Sequence, residues 1–131
     1  MKDYAIRKAT KEDVPALFDL IKELAVFEKA VREVETSKED LLRDGFGERP
    51  LFGAYVAEQG GEVVGAAFYY WRYSTWKGKM LYLEDLIVNE AHRRRGLGDR
   101  LFEQMVRVAT ENDANGISLQ VLDWNEDAIE F

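Results

Sequence analysis

The stretch from Leu81 to Val108 limits what this chain can fold into more than any other. Residues 81–88, Leu-Tyr-Leu-Glu-Asp-Leu-Ile-Val, are apolar at nearly every position, as a strand buried on both faces in the middle of a sheet would be. Glu84 and Asp85 interrupt it. After a loop over Asn89–His92 come Arg93-Arg94-Arg95-Gly96-Leu97-Gly98, and then Leu97, Leu101, Met105 and Val108 recur at the spacing of one helical face. A strand therefore runs through a glycine-rich turn into an amphipathic helix. The first turn of a helix carries backbone N–H groups without internal partners and a partial positive charge, which together suit phosphate. Gly96 and Gly98 have no Cβ, so a ligand can approach the backbone closely, and Arg93 to Arg95 add cationic charge. The alternative is a tight turn with solvated arginines around it.

The remaining pattern places elements on both sides of this unit. Tyr4–Lys8 alternates as a first strand, and Thr10-x-x-Asp13 resembles a capping box ahead of Val14, Leu17, Phe18, Ile21, Leu24 and Ala25, with Pro15 in the first helical turn. Thr36-x-x-Glu39 predicts a short second helix through Leu41 and Leu42, ended by Asp44-Gly45. Leu51–Glu58 and Glu62–Tyr73 read as strands joined by a Gly60-Gly61 hairpin turn, and Ser74–Lys79 returns the chain to residues 81–88, giving an antiparallel meander. After the long helix, Asp113–Gly116 is a turn and Ile117–Leu122 a buried strand, parallel to residues 81–88 because a helix joins them. Asn125 is placed to cap a last helix from Glu126. The class expected is α/β, a mixed sheet flanked by helices.

A chain of 131 residues fits one domain with one core. Without cysteine there is no disulfide framework and no thiol nucleophile, and a single histidine leaves almost nothing for a zinc site, so no metal is expected. A formal net charge of −7 repels nucleic acid and favours a small cationic partner, although acidity alone also serves solubility. Met-Lys-Asp-Tyr lacks the apolar core of a signal peptide, and no run is apolar for long enough to cross a bilayer. The expectation is a cytoplasmic protein without membrane partners.

Arg-x-x-Gly-x-Gly between a strand and a helix resembles the acetyl-CoA pyrophosphate loop of the GNAT superfamily of N-acetyltransferases. The segments AIRKAT, LIKELAVFE, DLLRDGFGERPLF, YSTWKGKMLYLEDLIV and WNEDAIEF, in that order, resemble its spermidine/spermine (diamine) N-acetyltransferase branch. The resemblance implies the GNAT fold, a mostly antiparallel central sheet flanked by helices, and a homodimer. It also implies a domain that continues through the last helix into two further strands. The chain thus looks shortened at its C-terminal end, and the family's catalytic tyrosine would follow Phe131.

Acetyl transfer from a thioester to an amine needs a neutral nucleophile, yet an alkyl amine of pKa roughly 10 is mostly protonated near pH 7, so a proton acceptor is required. By resemblance Glu84 is that acceptor, directly or through water, with Asp85 as its partner. Strand alternation aims the two at opposite faces unless a bulge intervenes. Both acids reaching solvent at a strand end is the alternative. The resemblance assigns Leu86, Ile87 and Val88 to the pantetheine arm, with a backbone N–H polarising the carbonyl. It assigns Arg93, Arg94, Arg95, Gly96, Leu97, Gly98 and Asp99 to the pyrophosphate, and Asn125, Glu126, Asp127 and Ala128 to a second contact with acetyl-CoA. On the amine side it places Phe27, Glu28, Trp76, Glu84, Asp85, Ser118, Leu119, Gln120 and Trp124. Read without the resemblance, Glu28 is an ordinary surface charge, either tryptophan is core, and His92 is a surface loop residue. The activity implied is acetyl-CoA-dependent acetylation of a primary amine on a small cation such as a diamine, a polyamine or a lysine analogue. Alternatives are acetylation of a protein or antibiotic amine, and a CoA-binding module without turnover.

Overall fold

The computed structural model describes residues 3–119 and the strand backbone of 127–130. Nine elements carry the fold: β1 (Ala5–Lys8), α1 (Val14–Phe27), α2 (Lys38–Phe46), β2 (Gly53–Gln59), β3 (Glu62–Ser74), β4 (Gly78–Val88), α3 (Leu97–Glu111), β5 (Gly116–Leu119) and β6 (Asp127–Glu130). The six strands form one sheet in sequence order. Every adjacent pair is antiparallel except β4 with β5, which the intervening helix makes parallel, as the sequence predicts. The β2–β3 turn is built as expected: Gly60 and Gly61 both take positive φ, +59° and +83°, the geometry that matches the twist of a two-residue hairpin.

Two apolar layers cover the sheet. On one face α3 buries Leu97, Leu101, Met105 and Val108 against Ala57, Ala67, Tyr69, Leu81 and Leu83. These four helix positions are the stripe read from the sequence. On the other face α1 and α2 bury Val14, Leu17, Leu20 and Leu41 against Val56, Ala66, Phe68 and Ile87. Leu17, Leu81, Ile87, Leu101 and Met105 are fully buried; each is worth about 1.5–3 kcal/mol over its exposed state. Arg7 ties β1 to both neighbours, donating to the Asp13 carboxylate at 2.8 and 3.0 Å and to Glu58 at 2.9 Å.

Three local expectations are corrected. The second helix is capped one residue later than Thr36-x-x-Glu39: Ser37 Oγ accepts from the Asp40 N–H at 3.1 Å while Asp40 accepts from the Ser37 N–H. Gly45 lies inside that helix rather than ending it, and a Cβ there would run into the Phe52 ring, which would have to move to admit it. The third concerns the segment from Glu126, read as a helix. Asp127–Glu130 is a strand paired antiparallel with β5, whose edge satisfies the backbone groups of four residues more fully than one helical turn would.

Candidate active site

The turn between β4 and α3 is shaped by two left-handed residues, Arg94 at φ +65° and Gly96 at φ +78°, the latter capping α3. A Cβ built on Gly96 or Gly98 meets no protein atom within 4 Å, so both glycines border open space in front of the unpartnered amides of the first helical turn. Beside it, β4 pairs with β5 only from Leu81 to Leu83 among the described residues. From Glu84 to Val88 no described residue pairs with the β4 edge turned toward β5. These features bound a cleft of about 410 Å³ lined by Leu24, Phe27, Leu86, Ile87, Val88, His92, Arg93, Arg94, Gly96, Leu97 and Gly98. Residues assigned by resemblance to the pantetheine and pyrophosphate of acetyl-CoA thus share one wall. Arg95 and Asp99 lie outside the lining; Arg95 donates instead to the Tyr4 hydroxyl at 3.3 Å. His92, read as a surface residue, is half-buried, lines the cleft and bonds the Tyr4 hydroxyl through Nδ1 at 3.0 Å.

The two strand acids are separated by a bulge. Phe68 faces Asp85 and Tyr69 faces Leu83, so Glu84 is the extra residue with no partner on β3. Without the bulge Asp85 would share the α3 face with Leu83. With it, Asp85 sits opposite Phe68 on the α1 face with Ile87, while Leu86 and Val88 face the α3 side. Glu84 is exposed and Asp85 half-buried. Burial, then repulsion from the Glu84 and Glu28 carboxylates, pushes the Asp85 carboxyl up to about 6.

Glu28 is held near this pair by the way α1 ends. Lys29 takes φ +58°, Ala30 N–H bonds Ala25 O at 2.8 Å and Lys29 N–H bonds Val26 O at 3.1 Å, a Schellman closure that fixes Glu28 as the C-cap. Phe27, 63% exposed, lies under the Arg93 guanidinium with 5.2 Å from Cζ to the ring centre. The end of α1 therefore touches both the carboxylates and the arginine turn.

Other residues assigned to the amine stand apart in a single chain. Trp76, 95% exposed, is at the tip of the β3–β4 hairpin. Gly78 to Glu84 alone spans roughly 20 Å of strand. Ser118 and Leu119 pair with Tyr82 and Leu83, and Ser118 borders a cleft with Arg72, Tyr73 and Lys77 on the hairpin side. Gln120, Trp124, Asn125 and Glu126 lie outside the described residues, as do the side chains of Asp127 and Ala128. A further cleft of about 380 Å³, with Lys8, Phe46, Phe52, Gly53, Tyr69 and Trp71 in its wall, is lined by no carboxylate and contains none of the residues assigned to the amine.

A feature invisible to sequence reading is Glu23 on α1. Its carboxylate accepts from Asn89 Nδ2 at 2.9 Å and from the Glu90 N–H at 2.8 Å, and stands 3.6 Å from the Arg93 guanidinium. Partners 66 to 70 residues away leave no local signature.

Among the described residues, the geometry is that of a helix N-terminus facing open space beside the end of β4, with Glu84, Asp85 and Glu28 near that strand. The acetyltransferase (GNAT) family model matches residues 14–131, and the chain belongs to that family; it is an acetyltransferase by class. It is 41% identical over 134 residues to a thialysine N-epsilon-acetyltransferase of Bos taurus, covering 96% of this chain and 79% of that protein. It is 38% identical over 138 residues to the spermidine/spermine N(1)-acetyltransferase-like protein 1 of Homo sapiens, covering 100% of this chain and 20% of that protein. In fold it matches an aminoglycoside acetyltransferase from an uncultured soil metagenomic sample with a TM-score of 0.76 at 20% identity, over 93% of this chain and 80% of that one. No described helix is long and apolar enough to cross a membrane.

Proposed function

We propose that this protein transfers an acetyl group from acetyl-CoA to a primary amine of a small cation, a diamine, polyamine or lysine analogue such as thialysine. The observation that carries this reading is the β4 bulge, which turns Asp85 onto the α1 face, leaves Glu84 exposed, and puts Asp85 under the charge of both Glu84 and Glu28. Three mutually repelling carboxylates are relieved by a cation. The names of the relatives, thialysine and spermidine/spermine N-acetyltransferases, support the same substrate class.

The residues present fit the donor: open space over Gly96 and Gly98, free amides at the α3 N-terminus and a β4 edge that no described residue pairs from Glu84 to Val88. Acetyl-CoA supplies an activated acetyl thioester when bound. The α3 N-terminus with Arg94 holds negative charge, and backbone N–H groups within Leu86–Val88 are available to a carbonyl oxygen. Glu28 and the Glu84–Asp85 pair hold the ammonium, and that pair takes its proton. Asp85, titrating near 6, is the member poised to accept at neutral pH, and exposed Glu84 relays the proton to solvent.

The same reading takes the active protein as a homodimer. Tyr73 and Trp76, 75% and 95% exposed at the hairpin tip, form an apolar surface suited to a second copy. Only a second copy brings Trp76 to an amine held at Glu84.

The test is a panel of diamines, polyamines and thialysine mixed with acetyl-CoA while free thiol is followed. Saturable thiol release with at least one of these cations is expected. Release no faster than the uncatalysed rate with every amine would end the proposal.

A further inference from the structure

We propose that Glu23 is a positioning residue for the phosphate-binding turn, acting from a separate helix through Asn89, Glu90 and Arg93. The proposal deepens the acetyl-CoA reading and rests on it. The turn's own bonds are short-range ones: His92 N–H to Asn89 O at 2.9 Å, Arg93 N–H to Glu90 O at 3.4 Å and the Asn89 side-chain cap. Between Val88 and Gly96 the turn includes a short 3-10 segment, a half-exposed arginine and a left-handed Arg94 that glycine would adopt more readily.

One carboxylate gathers it. Glu23 Oε1 accepts from Asn89 Nδ2 at 2.9 Å, and the Oδ1 of that same asparagine accepts from the Ala91 N–H at 3.1 Å. Glu23 Oε2 accepts from the Glu90 N–H at 2.8 Å and faces Arg93 Nη2 at 3.6 Å. Arg93 in turn donates through Nε to Val88 O at 3.0 Å and covers the Phe27 ring. Three of its faces are thus committed to protein. Arg93 faces Glu23 and pins the end of β4, which leaves Arg94 as the arginine of the cleft wall without a side-chain partner among the described residues. Matched by Arg93, Glu23 holds Asn89, Glu90 and Arg93, the segment through which the chain enters the α3 N-terminus.

The prediction is specific to the diphosphate. CoA and pantetheine, which lacks the nucleotide diphosphate, are titrated into wild type and Glu23→Ala, with melting curves alongside. In Glu23→Ala the CoA affinity falls on the order of tenfold, the loss of one charge-assisted hydrogen bond, while pantetheine affinity stays within about twofold. Glu23→Gln, which keeps an oxygen for Asn89 Nδ2 but loses the charge and the acceptor facing the Glu90 N–H, shows a smaller loss in the same direction and decides the matter if Glu23→Ala does not fold. An unchanged CoA affinity, or an equal loss for both probes, overturns the positioning role. Wild type that binds CoA no better than pantetheine removes the acetyl-CoA reading itself, a distinct outcome visible before any variant is made.

Discussion

Phe68 and Asp85 face each other across the β3–β4 ladder, and the next pair along is Tyr69 with Leu83. That one-residue mismatch exchanges the face on which Asp85 lies, and the consequence is measurable as a titration. The Asp85 carboxyl is raised to about 6 by burial and by two neighbouring acids. Activity as kcat/KM should fall as pH drops below about 6, because the proton acceptor is then already protonated. Asp85→Asn should cost about a hundredfold and abolish that limb, whereas Glu84→Gln should keep it. An unaltered limb in Asp85→Asn would return the role to Glu84.

The same shift makes a prediction about stability, with the opposite sign. A carboxyl whose folded pKa lies above its unfolded value of about 3.9 opposes folding when charged. The penalty is absent below about pH 4, grows between about 4 and 6 and is complete above 6. Asp85→Asn should therefore stabilise the protein at pH 7, by up to about 3 kcal/mol, and make no difference at pH 3.5. Urea titrations at the two pH values check this; equal stability of the two proteins at pH 7 contradicts it.

Gly96 and Gly98 belong to one motif but should respond differently to alanine. Gly96 stands at φ +78°, a region costly for any Cβ, so Gly96→Ala should destabilise by about 1–2 kcal/mol. Gly98 has no such angle and its Cβ would enter empty space, so Gly98→Ala should leave the melting temperature unchanged or raise it, by up to about 1 kcal/mol of helix preference. Its effect should appear on ligand: CoA affinity should drop, since the added methyl occupies the approach to the amides. Full CoA binding by a stable Gly98→Ala protein would show that the glycine serves no ligand.

The strand, turn and helix of residues 81–108 were legible because each rests on a local period: apolar continuity in β4, glycine at the turn, and Leu97, Leu101, Met105 and Val108 on α3. The hairpin at Gly60-Gly61 was legible for the same reason. Register was not. A bulge at Glu84 arises from how β3 and β4 match over their whole length, and no residue type marks it, so the face of Asp85 was undetermined. Glu23 carries no local signal because its partners come from another segment. Ser37 displaced Thr36 as a cap because two overlapping boxes, Thr36-x-x-Glu39 and Ser37-x-x-Asp40, compete, and only tertiary packing of Leu41 chooses between them.

Arg7 offers a test of structure separate from chemistry. The Asp13 side chain is only 9% exposed and accepts two bonds from Arg7, which holds its carboxyl below the usual carboxylate range. Arg7→Gln should cost about 2–3 kcal/mol at pH 7 by leaving that charge without its cation. Because the folded pKa of Asp13 is depressed, this contribution is complete above about pH 4 and disappears as pH falls through the folded value. The gap between wild type and Arg7→Gln should narrow accordingly in acid, while kcat of the folded variant stays within about twofold. A gap independent of pH would assign the loss to packing of the arginine stem.

The hairpin tip makes the last prediction. Tyr73 and Trp76 are 75% and 95% exposed, and Trp71 39%, in a protein whose other large apolar side chains mostly reach the two cores. Lys79 lies 4.6 Å from the Trp71 ring centre and Arg72 5.7 Å from that of Tyr82, so cations rim the aromatic surface. A surface of this kind covered by a second copy excludes water from two tryptophans at once, and aromatic anchors of that sort carry much of the affinity of an interface. Trp76→Ala should shift the protein from dimer toward monomer in light scattering, and raise the amine KM more than the acetyl-CoA KM, since the acetyl-CoA cleft lies at the opposite end of β4. A Trp76→Ala protein that remains dimeric with both constants unchanged would leave the tryptophan outside the interface and outside the amine site.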